Sequence, residues 1–320
     1  MTSPTHEHPL DVFHAALAMM DAGHSCALVF VTAVQGGAVR GPGSVMVVAD
    51  SGAFAGYISG GCVDSDVHLN AVDAITIGQS RTLKYGVGSP MIDIRLPCGG
   101  FIELTIIPVT DINLLRGAID GLERRRPISL TFASPGHVLE LSHDIPTATG
   151  WYDGGFHALY TPKLKLRIAG RGPDCLALAR IAVSMGLPVT LQIIDDQDQT
   201  LASTIAIEAM TKLTTPRALP THRDDQWTAF VLMFHDAQWE VPLLHQALVG
   251  SAFYIGAVGS RTTHDKRCTE LVEAGCSADD IARIYAPIGL IPSMRDANML
   301  AISALAEIVA AFHQRNHHDA

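Results

Sequence analysis

Residues 164 to 196 read LKLRIAGRGPDCLALARIAVSMGLPVTLQIIDD, and no other stretch limits the fold so tightly. An apolar strand, LKLRIAG, runs into a glycine-containing turn. A helical pattern follows from Asp174 to Met185, and a second apolar strand, PVTLQIID, ends on paired acids. Strands separated by a helix are joined by a crossover and lie parallel. The rhythm continues with a helix near residues 199–210, strand TAFVLMF, a helix over 240–249, strand FYIGAVG and a helix after Ser260. This predicts an α/β fold with a Rossmann-like doubly wound parallel sheet over residues 161–320. The last helix, Asn298 to Phe312, is amphipathic and is expected to pack on that sheet or on a second subunit.

The turn AGRGPDC occupies the place of a dinucleotide fingerprint. There, glycines let a pyrophosphate reach a helix N-terminus, and an acid closing the next strand binds a ribose. Gly170, Gly172 and Asp195 fill those positions. Two departures count against NAD: Cys175 replaces the third glycine, and Asp174 brings negative charge to the helix start. Asp174 also reads as an N-cap, and Cys175 as a small packing residue. Asp195 and Asp196 together would repel the extra phosphate of NADP.

A second anion site is suggested by GAVGSR, where Gly259, Ser260 and Arg261 lie between a strand and a helix. The plainer reading is a capped helix with an exposed arginine. His235 and Asp236 end the preceding strand and read as a helix cap with its neighbour rather than as a catalytic dyad.

The first half of the chain is organised differently. Residues 1–110 read as an α+β domain, with a helix from Asp11 to Ala22, strand CALVFVTAV, a hairpin about Asp50-Ser51-Gly52, a helix from Val63 to Ile77, and strands RTLKYGV and FIELTIIPV. Residues 111–160 read as a connecting segment: a helix from Asp111 to Arg126, a hairpin of ISLTFA with HVLELSH, and an irregular stretch about Trp151-Tyr152-Asp153-Gly154-Gly155. The boundary to the second half is placed near Tyr160-Thr161-Pro162.

A net charge of −10 argues against nucleic acid or anionic lipid as a partner. With 48% hydrophobic and 17% charged residues the chain is expected to form packed globular domains. No apolar run approaches the roughly 20 residues of a membrane span, and MTSPTHEHPL lacks a signal-peptide pattern, so a soluble cytoplasmic protein is expected. The six cysteines form no CxxC pair, which makes a disulfide framework improbable.

Three glycine-rich loops concentrate the chemistry of the first half: GGAVRGPG with Arg40, SGGC with Cys62, and PCGG with Cys98. Gly60 and Gly61 precede Cys62, and Gly99 and Gly100 follow Cys98, so both thiols sit where the backbone can approach a ligand closely. Cys62 alone could be a nucleophile, a metal ligand, a cofactor contact or a buried packing residue. Two cysteines in matched diglycine loops favour function. Arg40 and the following helix N-terminus would favour a thiolate at Cys62. Zinc with His68 as a third ligand is the weaker alternative, because the spacing is nonstandard.

With RGPGSVM, GYISGGCVDSDV, LPCGGFIEL, FYIGAVGSRTTHDKR, APIGL and AISALAEIVAA in this order, the chain resembles the XdhC/CoxI family, accessory proteins of molybdenum hydroxylases. The resemblance implies a maturation factor, a carrier more than a turnover enzyme, that binds molybdenum cofactor as molybdopterin or its cytidine dinucleotide form. It implies support for sulfuration with a cysteine desulfurase, delivery to an apo molybdenum hydroxylase, contact with the cofactor nucleotidyltransferase, and a homodimer. The family's loop cysteines correspond to Cys62 and Cys98, its first-loop arginine to Arg40, and its GSR element to Gly259, Ser260 and Arg261. The chain departs from the family at three places. A serine is missing between Gly36 and Arg40, Val45 stands where many members have arginine, and Pro173-Asp174-Cys175 replaces the second half of the GxGHxG turn. An NAD-dependent oxidoreductase and an apoenzyme chaperone that never holds cofactor are the rival readings.

Overall fold

The computed structural model describes residues 8–36, 40–59, 61, 63–87, 100–133, 138–142, 144–291 and 294–318. The chain divides into two compact units, Met1–Pro162 and Lys163–Ala320.

In the first unit, helix α1 (Pro9–Asp21) leads to strands β1 (Cys26–Gln35), β2 (Val45–Ala49) and β3 (Phe54–Ala55). Helix α2 (Asp64–Ile77) and strands β4 (Arg81–Gly86) and β5 (Phe101–Pro108) complete an antiparallel sheet in the order β3-β2-β1-β5-β4. Then come helix α3 (Ile112–Glu123) and strands β6 (Ile128–Ala133), β7 (Glu140–Ser142), β8 (Gly150–Tyr152) and β9 (Gly155–Tyr160), which form a second antiparallel sheet, β7-β6-β9-β8. β1 is buried on both faces, which explains its uninterrupted apolar run. Cys26, Leu28 and Phe30 pack with α1, α3 and the second sheet. Ala27, Val29 and Val31 pack with Val67, Ala71 and Ala74 of α2. Residues 111–160, expected as a connecting segment, therefore share a core with α1 and β1.

The stretch about Trp151 is not irregular. Tyr152 pairs with Gly155 across a two-residue turn in which Asp153 (φ 48°) and Gly154 (φ 82°) are both left-handed. Asp-Gly is the pair that such a hairpin turn favours, so the signal was present in the sequence.

The second unit contains β10 (Lys165–Gly170), α4 (Gly172–Ser184), β11 (Val189–Ile193), α5 (Asp196–Ala202), β12 (Ala209–Lys212), β13 (Thr228–Met233), α6 (Ala237–Val249), β14 (Tyr254–Ala257), α7 (Arg261–Glu273), α8 (Ala278–Ile281), β15 (Ile284–Tyr285) and α9 (Ala297–His318). Its parallel sheet runs β12-β11-β10-β13-β14-β15, the doubly wound order with a switch point between β10 and β13. Helices α4 and α9 cover one face, and α6 and α7 the other.

Two expectations change here. The helix expected near 199–210 ends at Ala202, and Ala209–Lys212 instead pairs with β11 as an edge strand. α9 carries an apolar stretch, Ala297–Arg315, long enough by composition to cross a membrane. In this fold it buries Ala301, Ala304, Leu305 and Ile308 against the sheet's core. Small residues on that stripe raise the hydropathy and let the helix pack closely.

No helix bridges β12 to β13. The connecting segment is pinned by Asp224, whose carboxylate accepts from Arg167 Nε at 2.8 Å and Nη2 at 2.5 Å. Arg167, in the middle of β10, also donates to Gln192 Oε1 at 2.8 Å and lies over the Phe230 ring at 4.0 Å.

His222 belongs to the same segment. Burial, then the neighbouring Arg167, holds its imidazole below the usual 6.5 and keeps it neutral. The unfolded chain takes up that proton at the ordinary value, so between the two values stability falls as pH drops. His222→Gln is expected to make the decline of the urea midpoint between about pH 7 and pH 5 shallower. An unchanged slope would assign that decline to other groups.

Candidate functional site

Of the first unit's expected site residues, Gly60, Cys62, Cys98 and Gly99 lie outside the described residues. Their described neighbours Ser59, Gly61 and Gly100 are held by contacts of their own. Gly61 is exposed at φ +103°, a left-handed conformation that favours glycine, and its N–H donates to Ser59 Oγ at 3.1 Å. Ser59 Oγ in turn donates to Asp64 Oδ1 at 2.5 Å. α2 starts at Asp64 behind Val63, which supplies no side-chain cap, and carries Asp64 and Asp66 in its first turn. Asp66 accepts from the Tyr85 hydroxyl at 2.5 Å, and burial followed by this bond pushes the phenol far above its usual range. The start of α2 is thus already supplied with carboxylates, which offset the pull of its dipole on any further anion.

Gly100 is glycine for a different reason. A Cβ there would lie 1.8 Å from the Gln35 carbonyl oxygen. Gly100 thereby lies directly against the end of β1.

Arg40 lines a cleft of about 200 Å³ together with Ser44, Tyr57 and Thr149. Tyr160 donates from its hydroxyl to the Gly43 carbonyl at 2.9 Å, and Thr149 Oγ1 accepts from Leu159 N at 2.9 Å. The first contact ties the first loop to β9, and the second ties Thr149, which precedes β8, to the same strand. Sequence reading quoted Tyr57 within GYISGGCVDSDV without singling it out, and it missed Thr149, which is far from Arg40 along the chain and carries no motif.

His68 packs against Phe54 with ring centroids 4.3 Å apart and planes tilted by 38°, and burial holds its pKa below the usual value. Among the described residues no three His, Cys, Asp or Glu side chains are grouped to hold a metal ion.

The second unit's Rossmann turn is built as follows. Gly170 ends β10 where a Cβ would meet Met233 Cβ at 2.5 Å, so close strand packing requires this glycine. Gly172 opens α4 at φ +76°, and Arg171 precedes it as an N-cap without a side-chain hydrogen bond. Asp174 is not the N-cap expected from the sequence. Pro173, with its fixed φ and missing N–H, suits the first turn and starts the helix ahead of it. Cys175 is fully buried in the core, and burial pushes its thiol well above the usual range, which makes it a packing residue. Asp195 sits exposed at the carboxyl end of β11 as the N-cap of α5, and its side chain makes no capping bond.

At the carboxyl ends of β13, β14 and β15 lies a cleft of about 710 Å³. Asp174, His235, Gly259, Ser260, Arg261 and Arg295 supply its polar groups. Val258, Ile288, Ile291, Met294 and Leu300 supply an apolar wall. The structure brings Gly259, Ser260, Arg261 and His235 to one cleft. Gly259 is left-handed at φ +128°. Ser260 caps α7, with its Oγ accepting from Thr263 N at 3.1 Å. Asp236 caps α6 by accepting from Gln238 N at 3.0 Å. The cationic contribution to the cleft comes from Arg261 and from Arg295, which sequence reading did not single out.

Arg295 and the apolar wall are positioned by the segment between β15 and α9. Gly289 N–H donates to Glu307 at 2.9 Å, Ile291 N–H donates to Ser303 Oγ at 2.8 Å, and Tyr254 donates to the same Glu307 carboxylate oxygen at 2.5 Å. α9 thus holds the rim of the cleft through two polar residues on its buried side.

A family model described as the XdhC Rossmann domain matches residues 166–308, and one described as the XdhC and CoxI family matches residues 19–86. The chain is 33% identical over 306 residues to the molybdenum cofactor insertion chaperone PaoD of Escherichia coli (strain K12), covering 96% of this chain and 89% of that one. A solved structure described as a xanthine dehydrogenase from Bacillus halodurans has a TM-score of 0.78 at 21% identity, with 96% of each chain covered, and shows the same fold.

Proposed function

The chain belongs to the XdhC and CoxI family, and on that premise we propose that it is a maturation factor that holds molybdenum cofactor and delivers it to an apo molybdenum hydroxylase. The observation that carries this reading is the 33% identity to an insertion chaperone, which extends over both units rather than one domain. The cargo brings a metal bound by a pterin dithiolene, which prefers soft or anionic partners. We assign the thiolate of Cys62 to the metal or its terminal sulfide, Cys98 to assisting it in sulfur handling with a cysteine desulfurase, and Gly60, Gly61, Gly99 and Gly100 to shaping the loops. In the second unit, Arg261 and Arg295 supply the donors for a phosphate, and the apolar wall of the cleft suits a flat heterocycle. Ser260 supports that contact from the helix cap it already forms. Arg40 is the corresponding cation in the first unit's cleft. Exchange with the cofactor nucleotidyltransferase would supply the dinucleotide form, and a homodimer is the assembly we propose.

The test is to purify wild type, Cys62→Ser and Cys98→Ser from cells that make the cofactor, oxidise each, and identify released pterin by fluorescence. Wild type is expected to retain pterin, and Cys62→Ser to retain about tenfold less, equivalent to a contact of about 1.4 kcal/mol. Equal occupancy in all three would remove the thiol assignment. A wild type that binds no pterin even when it is added would leave a chaperone that grips only the apoenzyme.

A further inference from the structure

We infer that Asp198 is the internal occupant of the phosphate seat at the first turn of the Rossmann domain, and that it makes this turn reject pyrophosphate-bearing dinucleotides. The first N–H groups of a helix have no partner within it, and in a dinucleotide-binding unit they point at the pyrophosphate. In α4 the N-cap Arg171 offers no side-chain acceptor. The Gly172 N–H instead donates to Asp198 Oδ2 at 2.7 Å.

Asp198 comes from α5, the element after β11, so one half of the nucleotide motif closes on the other. Asp198 as a whole is only 8% exposed, and among the described residues no lysine, arginine or histidine pairs with it. A buried carboxylate without a cation is costly unless other donors meet its charge. Here the Gly172 N–H and the positive end of the α4 dipole meet it, by the same chemistry that would otherwise hold a phosphate.

The remaining residues of the turn agree with a closed seat. Asp174 adds a second negative charge in the first turn of α4. Gly170 is explained by its approach to Met233, and Cys175 by its burial in the core, so neither requires a ligand. The cleft at the carboxyl ends of β13, β14 and β15, where Arg261 and Arg295 lie, meets this turn at Asp174, so its cations stand on the α7 side and a carboxylate on the α4 side.

The experiment measures binding of NAD+ and of inorganic pyrophosphate to the full chain by calorimetry and by thermal shift. Wild type is expected to show no saturable NAD+ binding at millimolar concentration. Asp198→Ser vacates the seat and is expected to bind pyrophosphate at least about tenfold tighter than wild type, with an affinity that falls as salt rises. The gain is expected to persist in the double variant Asp198→Ser/Arg261→Ala, which separates this turn from the cleft at α7. If Asp198→Ser does not fold, Asp198→Asn keeps an acceptor for Gly172 without the charge, and pyrophosphate is expected to raise its melting midpoint more than that of wild type. Micromolar NAD+ binding by wild type that survives Arg261→Ala would overturn the inference. So would pyrophosphate affinities equal to wild type in every Asp198 variant that folds. Pterin retention does not enter the readout, so failure of the carrier reading leaves this result standing.

Discussion

Replacing Asp224 by alanine is expected to destabilise the second unit by about 3–5 kcal/mol, the cost of leaving one partner of a buried ion pair uncompensated. Arg167 and Asp224 have side chains 2% and 5% exposed. Removing the carboxylate strands a guanidinium over the Phe230 ring of the adjacent strand β13, with Gln192 as its closest remaining partner. The same change releases the segment that replaces a crossover helix between β12 and β13. Urea unfolding followed by the fluorescence of the buried Trp227 reports the loss. The double variant Arg167→Met/Asp224→Leu is expected to recover most of it, because apolar groups of similar volume remove the desolvation cost with the charges. A single variant costing under about 1 kcal/mol would show that the pair behaves as a solvated surface bridge.

Gly100→Ala is expected to cost about 3 kcal/mol, the upper end for overpacking, because the obstacle is backbone. The added Cβ would sit 1.8 Å from the Gln35 carbonyl oxygen and 2.8 Å from its carbon. No rotamer change relieves that, so β1 and the return of the CGG loop must move apart. Gly61→Ala is the comparison. Nothing lies within 4 Å of its added Cβ, and only the left-handed φ of +103° is penalised, at about 1–2 kcal/mol. Chemical denaturation of both variants should rank Gly100 above Gly61. The reverse order would mean that the loop, rather than the strand contact, limits stability.

These two glycines show how far a motif can be read. GGC and CGG are near mirror images in the sequence, and both suggest loops that let a ligand approach. In space one glycine serves a left-handed turn and the other a steric contact with a strand 65 positions earlier (100 − 35). Nothing local distinguishes the two, because the contact that fixes Gly100 is made by Gln35. The Asp-Gly turn between β8 and β9 is the opposite case, since its signal is local and sufficient.

The sequence by itself determined the four central strands of the parallel sheet, the caps at Asp236 and Ser260, and the family, because period, capping chemistry and motif order are properties of neighbouring residues. Only the tertiary structure decided that Asp198 answers Gly172, that Asp224 answers Arg167, and that Arg295 joins Arg261 at one cleft. The physical reason is common to all three. A buried or converging charge is defined by the partner that meets it, and these partners are 26, 57 and 34 positions apart along the chain (198 − 172, 224 − 167, 295 − 261).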